Sequence, residues 1–233
     1  LTIIKEPFEQ RGLGSLVTVP GAAGGVKYMV RSNAAEAETV IEELCQVMNS
    51  PERLLPGGYL YMNDILGNPQ LMNKVGRLIA SAYADQDINA VMTMATKGIP
   101  IAYAVAGHLN VPVVIVRRDN KVTEGPTVSI NYISGSSKRI QTMLLSKRSL
   151  EQGSRVLVVD DFMKAGGTIH GMTSLLEEFN AIVSGIAVLI ESEDTEERLV
   201  DQYLSLLKLS EVDMKDKRIH ITKGNYFDHL NGK

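Results

Sequence analysis

The sequence has no tryptophan, four phenylalanines and one cysteine in 233 residues. One cysteine, Cys45, excludes an internal disulfide framework and any cysteine-rich zinc cluster. No apolar run reaches the roughly 18 residues of a spanning helix, and no secretory leader pattern opens the chain. The expectation is a cytoplasmic protein without a membrane partner. Charge of one sign is missing too: 24 Lys and Arg stand against 27 Asp and Glu, net −3. That balance excludes the strongly basic body of a general nucleic-acid binder, so any such contact must be local. What is there, 44% hydrophobic and 22% charged residues, is the composition of a folded globular protein. The length fits one large domain, or a large one with a small companion.

Leu1, Ile4 and Phe8 recur at helical spacing with no N-capping residue before them, so a natural N-terminal segment is expected to precede them. Val17, Val19, Val26, Tyr28 and Val30 then bracket a Gly- and Pro-rich turn, Pro20 to Gly25, which predicts a β-hairpin. A helix followed by a glycine-tipped hairpin is the order of a winged helix-turn-helix from its recognition helix onward. A small α+β hairpin without DNA contacts is the alternative. Lys5, Arg11, Lys27 and Arg31 against Glu6 and Glu9 leave residues 1–31 with a local charge of +2, and Lys5, Arg11 and Lys27 are the candidate DNA contacts. Residues 32–50 read as a linker or dimer helix. Asn33 and Glu36 form a capping pair, Ala37, Val40, Ile41, Leu44, Val47 and Met48 one apolar stripe, and Pro51 the stop. Cys45 lies beside the stripe with no basic neighbour to lower its pKa, which makes it a packing residue.

Residues 51–233 form the larger unit. A helix near 69–84 (Val75, Leu78, Ile79, Ala82) leads to AVMTMA, a loop at Thr96 to Gly98, and a helix opened by Pro100. VPVVIVRR reads as a strand buried on both faces of a parallel sheet. TVSINYI and RIQTMLLS look like an antiparallel excursion, and RVLVVDD and SGIAVLI restore buried strands around a helix at Thr168 to Asn180. This succession predicts an α/β fold, a mainly parallel sheet with helices on both faces and its ligand site at the carboxyl ends of the strands.

The sharpest signal is VLVVDDFMKAGGTIHGMTSLLEEF. Val156 to Val159 form a buried strand, Asp160 and Asp161 stand at its carboxyl end, Lys164 to Gly167 make a short turn, and Thr168 opens a helix with Ile169, Met172, Leu176 and Phe179 inward. Backbone N–H groups of such a turn converge where the helix dipole favours an anion. Gly166 and Gly167 permit close approach, and the Thr168 hydroxyl can donate to a phosphate oxygen. Two adjacent carboxylates beside a phosphate need ribose hydroxyls or a magnesium ion between them. The pattern asks for a sugar phosphate. An ordinary tight βα connection is the alternative, whereas the Walker and dinucleotide spacings are absent.

At these residues the sequence resembles the type I phosphoribosyltransferases. The resemblance implies that Asp160, Asp161, Phe162, Met163, Lys164, Ala165, Gly166, Gly167 and Thr168 form the loop for phosphoribosyl pyrophosphate (PRPP). The two acids would hold the ribose hydroxyls and Ala165 to Thr168 the 5-phosphate, with Mg2+ carried by the ligand and no protein metal ligands. Ala95, Thr96, Lys97 and Gly98 resemble the pyrophosphate loop. The region from Arg117 to Ser149 corresponds to the long flexible loop, with Arg117, Arg118, Lys121, Lys138 and Arg139 among its basic residues. Lys164 stands where some purine-base members carry an aspartate, and Ala165 replaces a residue that often helps bind phosphate. Over its full length (FEQRGLGSLVTVPGAAGGVKY, LPGGYLYMNDILG, ATKGIP, VRRDNKVTEG, NYISGSS, VVDDFMKAGGT) the chain resembles the purine operon repressors of Gram-positive bacteria. That likeness implies a winged helix fused to a phosphoribosyltransferase-like domain, and a homodimer that binds operator DNA and represses purine biosynthesis genes. PRPP would be its inducer in a catalytically silent pocket, guanine-nucleotide alarmones its competitors, and Tyr59 and Phe162 the walls for a stacked base. The alternative is an active purine phosphoribosyltransferase making nucleotide from base and PRPP. His108, His170, His220 and His229 show no metal spacing. The acidic stretch from Glu177 to Asp201 makes that end of the sheet an unfavourable DNA face.

Overall fold

The computed structural model describes residues 2–12, 14–22, 24–120, 122–133, 139–195 and 197–231. Leu1, Lys121, Lys138 and Glu196 of the sequence reading lie outside them. The chain begins with α1 (Thr2–Gln10) and a hairpin of β1 (Ser15–Val19) and β2 (Gly25–Met29), paired Ser15 to Met29 and Val19 to Gly25. Phe8 of α1 meets Tyr28 of β2 edge to face, 6.0 Å between centroids. Of the basic residues counted in this segment, Arg31 is spoken for: it makes a two-pronged pair with Asp85 at 2.6 and 2.7 Å.

Helix α2 (Ala34–Met48) starts where Asn33 Oδ1 accepts the Glu36 N–H at 2.8 Å. The expected return half of the capping pair does not form. The Glu36 carboxylate instead accepts from the Ser32 hydroxyl at 2.9 Å and pairs with Arg77 at 3.1 Å. Ala37, Val40, Ile41, Leu44 and Met48 are buried while Val47, counted in the stripe, is exposed, because its position falls beyond the narrow face turned inward. This helix, read as a linker or dimer contact, packs against the sheet and shares its main core.

After β3 (Leu54–Leu55), β4 (Tyr59–Leu60) and α3 (Asn63–Leu66) come α4 (Pro69–Ala82), β5 (Ala90–Met94), α5 (Ile99–Leu109) and β6 (Val113–Val116). An antiparallel pair, β7 (Thr127–Ile133) with β8 (Ile140–Ser146), precedes β9 (Arg155–Met163), α6 (Gly167–Glu178), β10 (Ile182–Ser192), β11 (Leu204–Asp213), β12 (Arg218–Lys223) and α7 (Tyr226–Asn231). Six strands form the central sheet in the order β12-β11-β10-β9-β5-β6, parallel except for β12. Alternation along β9 explains its two covers: Leu157 and Val159 join the core beneath α2, α4 and α5, while Val156 and Val158 join the one beneath α6 and the β7–β8 pair. VPVVIVRR is not buried on both faces, as its run of branched residues suggested. It forms the edge strand β6, where Val114 and Val116 are buried and Val113 and Ile115 only partly so. A branched run reports a strand, not its place in the sheet.

Candidate functional site

Strand β9 does not end at Val159. It stays paired with β10 through Phe162 and Met163, so Asp160 and Asp161 are carried inside a strand rather than on a loose end. Asp160 is 6% exposed, and its Oδ1 accepts the Asp161 N–H at 3.0 Å. Burial raises the proton affinity of both carboxyls. The neighbouring Asp161 charge pushes Asp160 further up, partly offset by Arg118; its partner Asp160 and the Lys97 ammonium pull Asp161 back down. A dry, mutually repelling pair favours a ligand that brings donors, such as a vicinal diol, or a cation.

Five residues beyond Asp161, Gly166 adopts φ +84° and caps α6 without any side-chain hydrogen bond to its first turn. The helix therefore opens at Gly167, one residue before Thr168, with amides that no capping side chain satisfies. These amides and the acid pair line the same cavity, of about 730 Å³, a size typical of small-molecule sites. Every residue from Asp160 to Thr168 lines it, as do Lys97 and Tyr59. Gly98 seats the preceding loop: a Cβ there would fall 2.1 Å from Thr93 Oγ1 and 3.0 Å from Asp160 Oδ1. The Ala95–Thr96 peptide in this loop is cis, Thr96 and Lys97 are exposed, and Ala95 is partly buried.

The structure places other residues differently. Within the stretch from 117 to 149, matched by resemblance to the long flexible loop, Thr127–Ile133 and Ile140–Ser146 form the β7–β8 pair packed on α6, the antiparallel excursion expected from TVSINYI and RIQTMLLS. Arg117 is tied to Leu144 through both backbone groups and to Glu124 at 3.2 Å. Arg118 and Arg139 are exposed, and none of these three arginines lines the cavity. Val128, Ile130 and Tyr132 alternate inward along β7, toward the core it shares with α6. Tyr59 sits on a two-strand hood, 66% exposed, beyond the turn at Gly57 and Gly58 with φ of +82° and +78°. Phe162 is half-buried against the core beneath it. Lys5 is 4.0 Å from Glu9, and Arg11 and Lys27 are exposed.

Sequence reasoning missed the far wall of the cavity, built by Ser192, Asp194 and the stretch from Leu209 to Val212 with Met214. No motif marks them. They arrive because β11 lies beside β10, a pairing legible only as topology.

A purine-repressor N-terminal family, "Bacterial purine repressor, N-terminal", matches residues 1–30, and "Phosphoribosyl transferase domain" matches residues 62–221. The purine biosynthesis transcriptional repressor of Bacillus subtilis is 64% identical over 97% of this chain and 79% of its own. The chain belongs to the bacterial purine repressor family. Within the family, the purine biosynthesis transcriptional activator of Lactococcus lactis subsp. lactis is 47% identical over 98% of this chain and 84% of its own. Adenine phosphoribosyltransferase of Thermoanaerobacter pseudethanolicus superposes with a TM-score of 0.61 at 23% identity, covering 72% of this chain and 99% of that one. At that identity the likeness establishes the type I phosphoribosyltransferase fold and nothing more.

Proposed function

We propose that the protein is a DNA-binding regulator that represses purine biosynthesis genes and senses PRPP in the cavity at the end of β9. The observation that carries this reading is the buried Asp160–Asp161 pair facing the same space as the uncapped start of α6. A diol and a phosphomonoester five atoms apart on one ribose answer both halves of it. Mg2+ would arrive with the pyrophosphate, and Lys97, which lines the cavity, would add charge there. Guanine-nucleotide alarmones, with their own phosphates and a base for Tyr59, would compete for the same space. The operator would lie against α1 and the hairpin. A helix apolar on all sides, such as α5 (IPIAYAVAGHL), is normally covered, yet Tyr103 on it is 59% exposed, which supports α5 as the face of a homodimer. Catalysis is not part of the proposal: Lys164, placed where a base-binding acid would be, is exposed and 3.5 Å from Asp194.

The coupling requires that PRPP favour a conformation binding DNA less tightly. In a mobility-shift experiment, PRPP with Mg2+ releases operator DNA from the parent protein, while an Asp160→Ala, Asp161→Ala double variant stays bound. Equal release from both would overturn the assignment of the pocket. Steady pyrophosphate release with any purine base would overturn the non-catalytic reading.

A further inference from the structure

The segment between β10 and β11 lies directly on the anion cradle. Its Leu199 N–H donates to the Ala165 carbonyl at 2.9 Å. Val200, 7% exposed, packs against Gly166 so closely that a Cβ on the glycine would fall 2.8 Å from Val200 Cγ2. In a trans peptide the C=O and N–H point opposite ways. Drawing the Ala165 carbonyl toward the segment therefore turns the Gly166 N–H to the opposite side, away from it.

What holds this strap is a buried carboxylate outside the motif. Glu191, 7% exposed at the end of β10, accepts from the Ser205 hydroxyl at 2.6 Å through Oε1, and from the Tyr203 hydroxyl at 2.5 Å and the Arg198 guanidinium at 2.7 Å through Oε2. Arg198 also donates to the Ser192 carbonyl at 2.6 Å and lies over the Tyr203 ring, 5.2 Å from its centroid. Burial, and then the Glu191 carboxylate, push the Tyr203 phenol up to about 12, so it stays a donor across the physiological range. Arg198 comes from the middle of the strap, Tyr203 from its end and Ser205 from the strand after it, and all three donate to Glu191. A fully satisfied buried network of this kind fixes geometry more than it adds stability.

We infer that Glu191 is a positioning residue for the anion cradle: through Arg198, Tyr203 and Ser205 it pins the strap that orients the Ala165–Gly166 peptide for a phosphomonoester. The inference deepens, and rests on, the assignment of the cavity to PRPP. Two variants test it, Glu191→Gln and the milder Tyr203→Phe, against Tyr83→Phe, which removes a buried hydrogen bond to the Ile186 carbonyl remote from the cavity. Calorimetric titration with PRPP and with ribose 5-phosphate should show Glu191→Gln weakened about tenfold, the scale seen when outer support of a binding group is lost. Tyr203→Phe should be weakened less, and Tyr83→Phe not at all. In ligand-free protein, amide exchange at residues 165–169 should quicken in the first two variants and not in the third. Unchanged exchange in Glu191→Gln, or parent-like affinity for both ligands in a parent that binds them, overturns the inference. A parent that binds neither ligand while Glu191→Gln still quickens exchange overturns the PRPP assignment and leaves the strap's hold on the loop standing.

Discussion

Asp160 shows what the site costs the fold. Its carboxyl is raised by burial first and by Asp161 second, so the folded state binds its proton more tightly than the unfolded chain does. Between the ordinary Asp value and the raised one, the folded protein carries more protons. Stability therefore falls as pH rises through that window and is recovered on acidification. Asp160→Asn keeps an oxygen for the Asp161 N–H and removes the charge. It should raise the denaturation midpoint at pH 7 by about 1 kcal/mol in free-energy terms, the common gain when a functional site is relieved. The gain should vanish near pH 4, and PRPP binding should weaken. A variant no more stable than the parent at pH 7, by urea titration at both pH values, would show that the pair is not strained. This pair was legible because strand, acids, glycines and helix follow one another within 13 residues. Glu191 was not. It stands inside a run that reads only as acidic surface, its partners are 7, 12 and 14 residues away, and nothing local shows that one of those acids is turned inward.

Elements differ in how far local pattern decides them. Helix α2 and the β9–α6 unit followed from periodicity, capping and turn residues, since short-range contacts set them. The antiparallel β7–β8 pair was legible from its alternation too, whereas the edge position of β6 depends on what lies alongside, which composition does not report. Two glycines, one at the α4–α5 contact and one on the open face of α5, give this a test. A Cβ on Gly76 would lie 2.6 Å from the Ala104 carbonyl carbon and 2.7 Å from its Cβ, whereas one on Gly107 would meet nothing within 4 Å. Both sit within helices, where alanine is favoured over glycine by about 0.5–1 kcal/mol. Gly107→Ala should therefore be neutral or stabilising by that amount. Gly76→Ala must part the two helices and should cost about 1–3 kcal/mol. Thermal denaturation of both variants checks the pair, and equal effects would mean that the helices are not in close backbone contact.

At the scale of the whole molecule, the near-neutral charge conceals two units whose contacts include one guanidinium with three acceptors. Arg77 on α4 donates to the carbonyls of Gly12 and, at 2.8 Å, Arg31, and pairs with Glu36 at the head of α2. One residue earlier, Gly76 lies against α5, whose first turn begins where the Lys97–Gly98 loop enters the cavity. A ligand that shifts this loop thus acts on a helix in direct backbone contact with the one that holds the N-terminal segment. Contiguity alone does not demonstrate coupling, but linkage makes it measurable: if PRPP weakens operator binding by some factor, operator DNA must weaken PRPP binding by the same factor, typically about 5- to 150-fold. Arg77→Lys keeps the charge and loses the fork that reaches three acceptors at once. PRPP affinity of the free protein should stay within about twofold of the parent, because Arg77 does not line the cavity, while the factor relating PRPP and DNA binding should fall toward one. Titrating PRPP with and without operator DNA measures it directly. A variant with parental coupling would remove Arg77 from the route and leave it to other contacts between the units, among them the Arg31–Asp85 pair and α2 packed on β12 and α4.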